Sequence, residues 1–280
     1  MRFRIVIIEP PGYPHAAAFT EVAETLVHGL TALGHQASAV INGFDPDAVN
    51  VVLGMHMLPA PVVAQLPPET VMYNLEQVED SMFQWAPQLR EAFSRFEVWD
   101  YSQQNLVRLR AMNLAGRSHL LPIGMVPELC RIKSAPVQDI DVLFYGVVNE
   151  RRRVALKSIQ DRGHKVAAVF GAYGRERDGL IARAKLVLNL HKHEAQVFEV
   201  VRVSYLLANA KAVVAEVSAV TAIDDDLRGA VAATPYDGLA ETCSRLLADE
   251  AGRKALEQRG FAAMNARRQS DYLAALLAER

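Results

Sequence analysis

Two clusters in this chain combine charge with a strand-to-helix turn, the setting in which anions and hydroxyl groups are bound. The first holds Gly146, Asn149, Arg151, Arg152 and Arg153. A glycine turn before a helix leaves backbone N–H groups pointing outward, and arginines beside it offer paired donors to phosphate oxygens. Adjacent arginines on a helix diverge, so at least one is expected to face a ligand while the others solvate the surface or pair with acids such as Glu150. The second cluster is His191, Lys192, His193 and Glu194, followed by Glu199. Phe198, Val201, Tyr205 and Leu206 recur at helical spacing, which places Glu199 in a first helical turn. A carboxylate there is favoured by the helix dipole alone. It is equally suited to accept hydrogen bonds from the hydroxyls of a ribose.

A third candidate lies near the N-terminus, where Glu9-Pro10-Pro11-Gly12-Tyr13-Pro14-His15 follows the first strand. Three prolines and a glycine stiffen this loop, and rigid positioning benefits a reactive group. His15, with an unperturbed pKa of about 6.5, suits a general base toward an attacking hydroxyl; Tyr13 stands beside it. His28 and His35, in or just after the following helix, read as structural. Glu76 and Asp100 sit at the ends of two further strands, and Pro122-Ile123-Gly124 ends another. In a parallel sheet these tips share one edge and form an acceptor or sugar side, although each is also a plausible turn or cap, Ser102 capping the helix from Gln103 for instance.

The elements that must position these residues alternate almost from end to end. Short β-rich runs are Phe3–Ile8, Ala37–Ile41, Val49–Leu53, Thr70–Asn74, Phe96–Trp99 and His119–Pro122. Asp141–Tyr145, Val166–Phe170, Leu186–Leu190, Ala212–Ala215 and Ala230–Ala233 follow in the second half. Helical stretches between them include Ala17–Leu33, Gln103–Met112, Glu150–Asp161 and Leu239–Ala248. Apolar runs such as Leu186–Leu190 suit strands buried on both faces, so parallel sheets flanked by helices are predicted. Ligands of such sheets bind at the carboxyl ends of the strands. The two halves also echo each other: a helix ends in Gly34-His35 before Ala37–Ile41, and another ends in Gly163-His164 before Val166–Phe170. The expectation is two Rossmann-like domains facing a central cleft, 1–135 and 136–280. The polar stretch Glu128–Gln138 serves as linker, and a final helix marked by Leu273, Leu276 and Leu277 packs back on the N-terminal domain.

Composition narrows the partners. The 280 residues carry 30 Lys plus Arg against 32 Asp plus Glu, a net charge of −2, so no broad field attracts nucleic acid or membranes. Ile5–Ile8 is too short for a signal-peptide core or a membrane span, and the two cysteines, Cys130 and Cys243, show neither metal nor redox spacing. A soluble cytoplasmic protein is expected. G-x-G-x-x-G and Walker A spacings are absent, which argues against a dinucleotide cofactor or a P-loop. Gly171-Ala172-Tyr173-Gly174 leaves room for a ligand ring. His191, His193 and Glu194 lack a further ligand cluster, and Asp224-Asp225-Asp226 reads as an acidic loop before a helix, so no metal site and no cofactor are expected.

With these motifs in place, the chain resembles GT-B glycosyltransferases, in particular bacterial family 1 or 4-like enzymes. The resemblance covers the chain as architecture, and its motif support lies in Asp141–Arg153 and Leu186–Glu216. It implies a nucleotide-sugar donor on the second domain, with diphosphate at Gly146 and Arg151, Arg152 or Arg153, and ribose at Glu199; in inverting members a histidine base in the first loop matches His15. Asn149, His191 and His193 fall on the same donor side, Tyr13, Glu76 and Asp100 on the acceptor side. It implies metal-independent transfer of a sugar to a hydroxyl-bearing or other nucleophilic acceptor. A nucleotide-sugar epimerase or hydrolase, or a silent nucleotide-sugar-binding module, is the alternative. One departure stands out: retaining members often carry two glutamates separated by seven residues, and that spacing from Glu194 reaches Arg202, which leaves the stereochemical outcome open.

Overall fold

Strands buried on both faces must be covered on both sides by helices, and the chain does this twice. The computed structural model describes residues 1–114, 116–192 and 197–279. They divide into two compact units, Met1–Val126 together with the segment from Arg267 onward, and Pro127–Ala266. The division falls between Val126 and Pro127, ahead of the 135/136 boundary read from the polar stretch.

The first unit contains β1 (Arg2–Ile7), α1 (Thr20–Ala32), β2 (Gln36–Ile41), β3 (Val49–Leu53), α2 (Ala60–Gln65), β4 (Val71–Asn74), α3 (Met82–Trp85), α4 (Leu89–Arg95), β5 (Glu97–Asp100), α5 (Gln103–Ala111) and β6 (Ser118–Leu120). Its six strands pair in the order β2-β1-β3-β4-β5-β6, each pair parallel. Val6, Val52, Met72 and Val98 pack on one face of that sheet with Phe83, Phe93 and Leu106 from the helices. Ser102 caps α5 by accepting from the Asn105 N–H at 3.4 Å.

The second unit contains β7 (Ile140–Tyr145), α6 (Glu150–Gln160), β8 (Val166–Val169), α7 (Gly174–Arg183), β9 (Ala184–Asn189), α8 (Val200–Ala208), β10 (Val213–Glu216), α9 (Asp225–Arg228), β11 (Ala232–Thr234), α10 (Leu239–Ala248) and α11 (Glu250–Ala266). Its strands run β11-β10-β9-β7-β8, again parallel. Phe144, Leu186, Leu188, Val214 and Cys243 share one core there, whereas Cys130 is exposed. No described helix is long and apolar enough to cross a membrane.

Each of the eleven runs read from sequence overlaps a strand, and the internal echo has a structural basis. Gly34 and Gly163 both take positive φ, +79° and +86°, and both lead into the second strand of their unit, β2 and β8. In each sheet that second strand lies at an edge, and the order reverses between the first and third strands. These reversals, β1/β3 and β7/β9, are the switch points where open sheets take ligands.

The last helix, α12 (Gln269–Glu279), belongs to the first unit. The Met125 N–H donates to the Arg267 carbonyl at 2.7 Å, the Gln269 N–H to the Met125 carbonyl at 3.1 Å, and the Gly124 N–H to Gln269 Oε1 at 2.7 Å. A Cβ on Gly124 would stand 2.8 Å from the Gln269 nitrogen and 3.0 Å from its Cα, and would also press on the Arg267 carbonyl oxygen. Gly124 therefore serves close backbone approach rather than a ligand edge. Gly124→Val is expected to lower the stability of the first unit by about 1–3 kcal/mol, because backbone atoms cannot yield as a side chain would; an unchanged urea midpoint would refute this.

Candidate functional site

At the switch point of the second unit, the β7–α6 turn meets the carboxyl ends of β9 and β10. Gly146 closes β7 with φ +144°, a conformation that side chains rarely adopt. Asn149 caps α6: its Oδ1 accepts from the Arg152 N–H at 3.0 Å, and its Nδ2 donates to the Lys192 carbonyl at 2.7 Å. The cap thus also ties the helix start to the loop after β9.

The three consecutive arginines have three different fates, because successive residues of a helix point about 100° apart. Arg153 lies at the surface and pairs with Glu150. Arg151 makes a two-nitrogen pair with Glu216, the last residue of β10, and its Nη1 also donates to the His191 carbonyl at 3.2 Å. Its guanidinium lies 4.1 Å from the centre of the Tyr236 ring. Arg152 is 4% exposed. It donates from Nε and Nη2 to the Leu190 carbonyl at 3.0 and 2.6 Å, and from Nη1 to the Val147 carbonyl at 2.8 Å. It is a clamp between the β7–α6 turn and β9.

Glu199 stands at the N-cap of α8 and makes no cap hydrogen bond. This corrects the expectation of a first-turn position. Its carboxylate is surrounded by Arg202 Nη1 at 3.3 Å, Arg152 Nη2 at 3.6 Å and His191 Nδ1 at 3.7 Å. Burial alone would push this carboxyl up, but Arg202, with His191 and Arg152, outweighs burial and holds it at about 2. His191 is buried, its Nε2 lies 3.0 Å from the Glu216 carbonyl, and its backbone N–H donates to Glu216 Oε2 at 3.1 Å. A carbonyl only accepts, so Nε2 is the donor there, and Nδ1 faces Glu199. His193 lies outside the described residues.

The three guanidinium groups of Arg151, Arg152 and Arg202 are opposed by the two carboxylates of Glu199 and Glu216. The site therefore carries a surplus of one positive charge in a largely buried setting, where charge acts strongly. Arg202 and Glu216 escaped the sequence reading. By spacing Arg202 stands only where a second glutamate would fall, and Glu216 lies just past the run Ala212–Ala215. Their charge in apolar stretches was the signal that could have marked them. Among the described residues no group of three or more His, Cys, Asp or Glu is placed to hold a metal ion.

In the first unit the switch point lies between the loop after β1 and the end of β3. His15 is in a short 3-10 helix, Pro14–Phe19, with its ring edge-on to Tyr13 at 5.1 Å. His56, just after β3, also escaped the sequence reading; its ring meets Phe19 and Trp85 edge-on at 6.4 and 5.7 Å. Burial pushes its pKa down, opposed by Glu76. His56, Glu76, Phe19, Asn74 and Leu89 line a small open depression.

Asp100 departs from its expected acceptor-side place, since none of it reaches solvent. It accepts from Asn74 Nδ2 at 2.7 Å, Asn105 Nδ2 at 3.0 Å and the Ser102 N–H at 2.8 Å, tying β4 and β5 to α5. Burial raises its pKa to about 7 against the lowering effect of these donors. Tyr73 and Trp99 are buried too, bonded to the Leu121 carbonyl and to Glu97.

Two parallel sheets, each with side-chain chemistry at its switch point, define a protein of two Rossmann-like units. The particular likeness is to glycosyltransferases: the chain has the GT-B fold. No protein-family model and no curated protein sequence matches the chain. Among solved structures, Anabaena Alr3699/HepE in complex with UDP is similar at a TM-score of 0.63 and 11% identity, over 100% of each chain. WaaG, a glycosyltransferase involved in lipopolysaccharide biosynthesis, is similar at 0.63 and 13% identity over 97% of each chain. Sucrose-phosphate synthase from Thermosynechococcus elongatus gives 0.60 and 12% identity, over 99% of this chain and 98% of that one.

Two outcomes follow from the charges. Glu199→Gln should destabilise the protein by about 1–3 kcal/mol at neutral pH, since its cations lose their counter-charge. A depressed pKa stabilises above the unfolded value, so this difference should be complete above pH 4.5 and shrink as pH falls toward 2; a difference that grows on acidification would contradict the pairing. Asp100 has the opposite sign. Its raised pKa gives a contribution complete below 3.8 and lost as pH rises through about 7, so carbon NMR of the Asp100 carboxyl should show a midpoint near 7 rather than 3.8.

Proposed function

We propose that this protein is a glycosyltransferase that moves a sugar from a nucleoside-diphosphate sugar to a nucleophilic acceptor. The observation that carries the reading is the β7/β9 switch point, where a glycine turn, a helix N-terminus and a positive surplus meet a carboxylate in a fold shared with glycosyltransferases. In this reading the turn at Gly146 and the start of α6 take the diphosphate, with Asn149 and Arg152 holding that turn in place. Glu199 takes ribose hydroxyls: its carboxylate makes no cap hydrogen bond, its pairs with Arg152 and His191 stand at 3.6 and 3.7 Å, and its side chain keeps 25% exposure. His191 orients that carboxylate.

On the acceptor side, Tyr13 and His15 receive the nucleophile and His15 accepts its proton, with Glu76 binding acceptor hydroxyls. Transfer builds positive charge on the sugar and negative charge on the departing diphosphate. Fixed guanidinium and N–H donors stabilise that charge as it forms, so the reading needs no divalent ion.

Incubation with nucleotide sugars, UDP-glucose first, with and without candidate acceptors tests this directly. The expected result is transfer that requires an acceptor, persists in EDTA and is lost in His15→Ala. Acceptor-free conversion would instead indicate an epimerase or hydrolase, and binding without any product a silent module; either overturns the proposal.

A further inference from the structure

The arginine run beside Gly146 looks built for phosphate, yet its side chains are committed elsewhere. Arg153 faces solvent with Glu150, Arg151 is bound to Glu216, and all three side-chain nitrogens of Arg152 donate to backbone carbonyls. A guanidinium already held in place by protein oxygens offers a phosphate few donors unless those bonds break.

Arg202 is different. It comes from the first turn of α8, and its guanidinium lies 5.2 Å from the centre of the Tyr145 ring. Nη1 is buried and forms no hydrogen bond, though it stays in ion-pair range of Glu199 at 3.3 Å. Nη2 stands 3.5 Å from the point where a Cβ of Gly146 would be. The side chain keeps 24% of its surface in solvent. A cation held by an aromatic face and one carboxylate still has donor edges to offer, and the absent side chain at Gly146 leaves the space beside one of them open.

We propose that Arg202, rather than the Arg151–Arg153 run, is the cation that binds the donor's diphosphate. The inference rests on the donor reading above and deepens it. As the bond from the anomeric carbon to the phosphate oxygen breaks, its electron pair stays on that oxygen and Arg202 neutralises the charge. The acceptor oxygen forms the new bond and gives up its proton to the base. Glu199 then has two duties in one carboxylate, holding the Arg202 guanidinium from one side and the ribose from the other. A lysine at position 202 would keep the charge but lose the flat contact with Tyr145 and the forked geometry.

Calorimetry on the full chain with UDP, uridine and inorganic pyrophosphate tests this. Arg202→Gln should weaken UDP and pyrophosphate by about 10- to 100-fold, the value of a charged hydrogen-bonding contact, and leave uridine unchanged. Arg202→Lys should recover part of the loss, and Lys157→Gln, which removes an exposed charge from α6, should change none of the three. If Arg202→Gln matches the wild type for UDP and pyrophosphate, the proposal fails while the donor reading stands. If uridine weakens by the same factor, Arg202 is only structural and the proposal again fails. Pyrophosphate binding that depends on Arg202, without binding of any nucleoside diphosphate, would uphold the anion site and sink the donor reading. A wild type that binds none of these ligands overturns both. Should Arg202→Gln not fold, Arg202→Lys carries the comparison, expected to show a smaller loss confined to the phosphate-bearing ligands.

Discussion

The architecture of the second unit's site depends on one buried guanidinium. Burying a charge is costly unless it is paired and hydrogen-bonded, and each of the three Arg152 nitrogens donates to a Leu190 or Val147 carbonyl, with the Phe144 ring 5.2 Å away and Glu199 nearby. The carbonyls at the end of β9 have left the sheet ladder and need donors, so both sides of the interaction gain. Burial pushes the Arg152 pKa down, yet a guanidinium starts so high that it stays charged. The result is a fixed distance between the β7–α6 turn and the β9 end, across the point where the strand order reverses.

Everything else at that switch point hangs from this clamp. Asn149 caps the helix that presents Arg152 and at the same time binds the next loop. Arg151, one residue earlier, is turned the other way and secures β10 through Glu216, which in turn anchors His191. These bonds bring Glu199 and Arg202 to the glycine turn without spending their own hydrogen-bonding capacity on the scaffold. The arginines that look most functional in sequence therefore build the site, and a residue from a neighbouring helix faces into it. Backbone carbonyls at strand ends compete with any ligand for nearby donors, which is why proximity to a motif is a poor guide to a side chain's partner.

The first unit shows the same economy. Asn74 and Asn105 both donate to Asp100 and to the Glu76 carbonyl, a buried polar network at the ends of β4 and β5. Buried networks of this kind fix one arrangement of strand ends and helix. They also explain why a carboxylate at a strand terminus need not reach solvent: Asp100, the last residue of β5, is fully buried by its donors, while Glu76, whose carbonyl the same network holds, lines the depression beside His56.

Sequence by itself determined the elements and their class. Val/Ile/Leu runs, glycine caps such as Gly34 and Gly163, and the alternation of strand with helix are local properties, so the eleven strands of the described residues and their parallel architecture were legible. The loops that carry the candidate sites were legible for the same reason, since strand ends follow from strand runs. Tertiary structure alone decided which side chain does what there. Arg151, Arg152 and Arg153 are indistinguishable by type and spacing, but the angle between successive helical residues sends one to Glu216, one to carbonyls and one to solvent. In sequence Arg202 is marked only as a charge in an apolar stretch; its place beside Tyr145 and Gly146 at the end of β7 was decided by the tertiary structure, because a partner distant in sequence leaves no periodic trace.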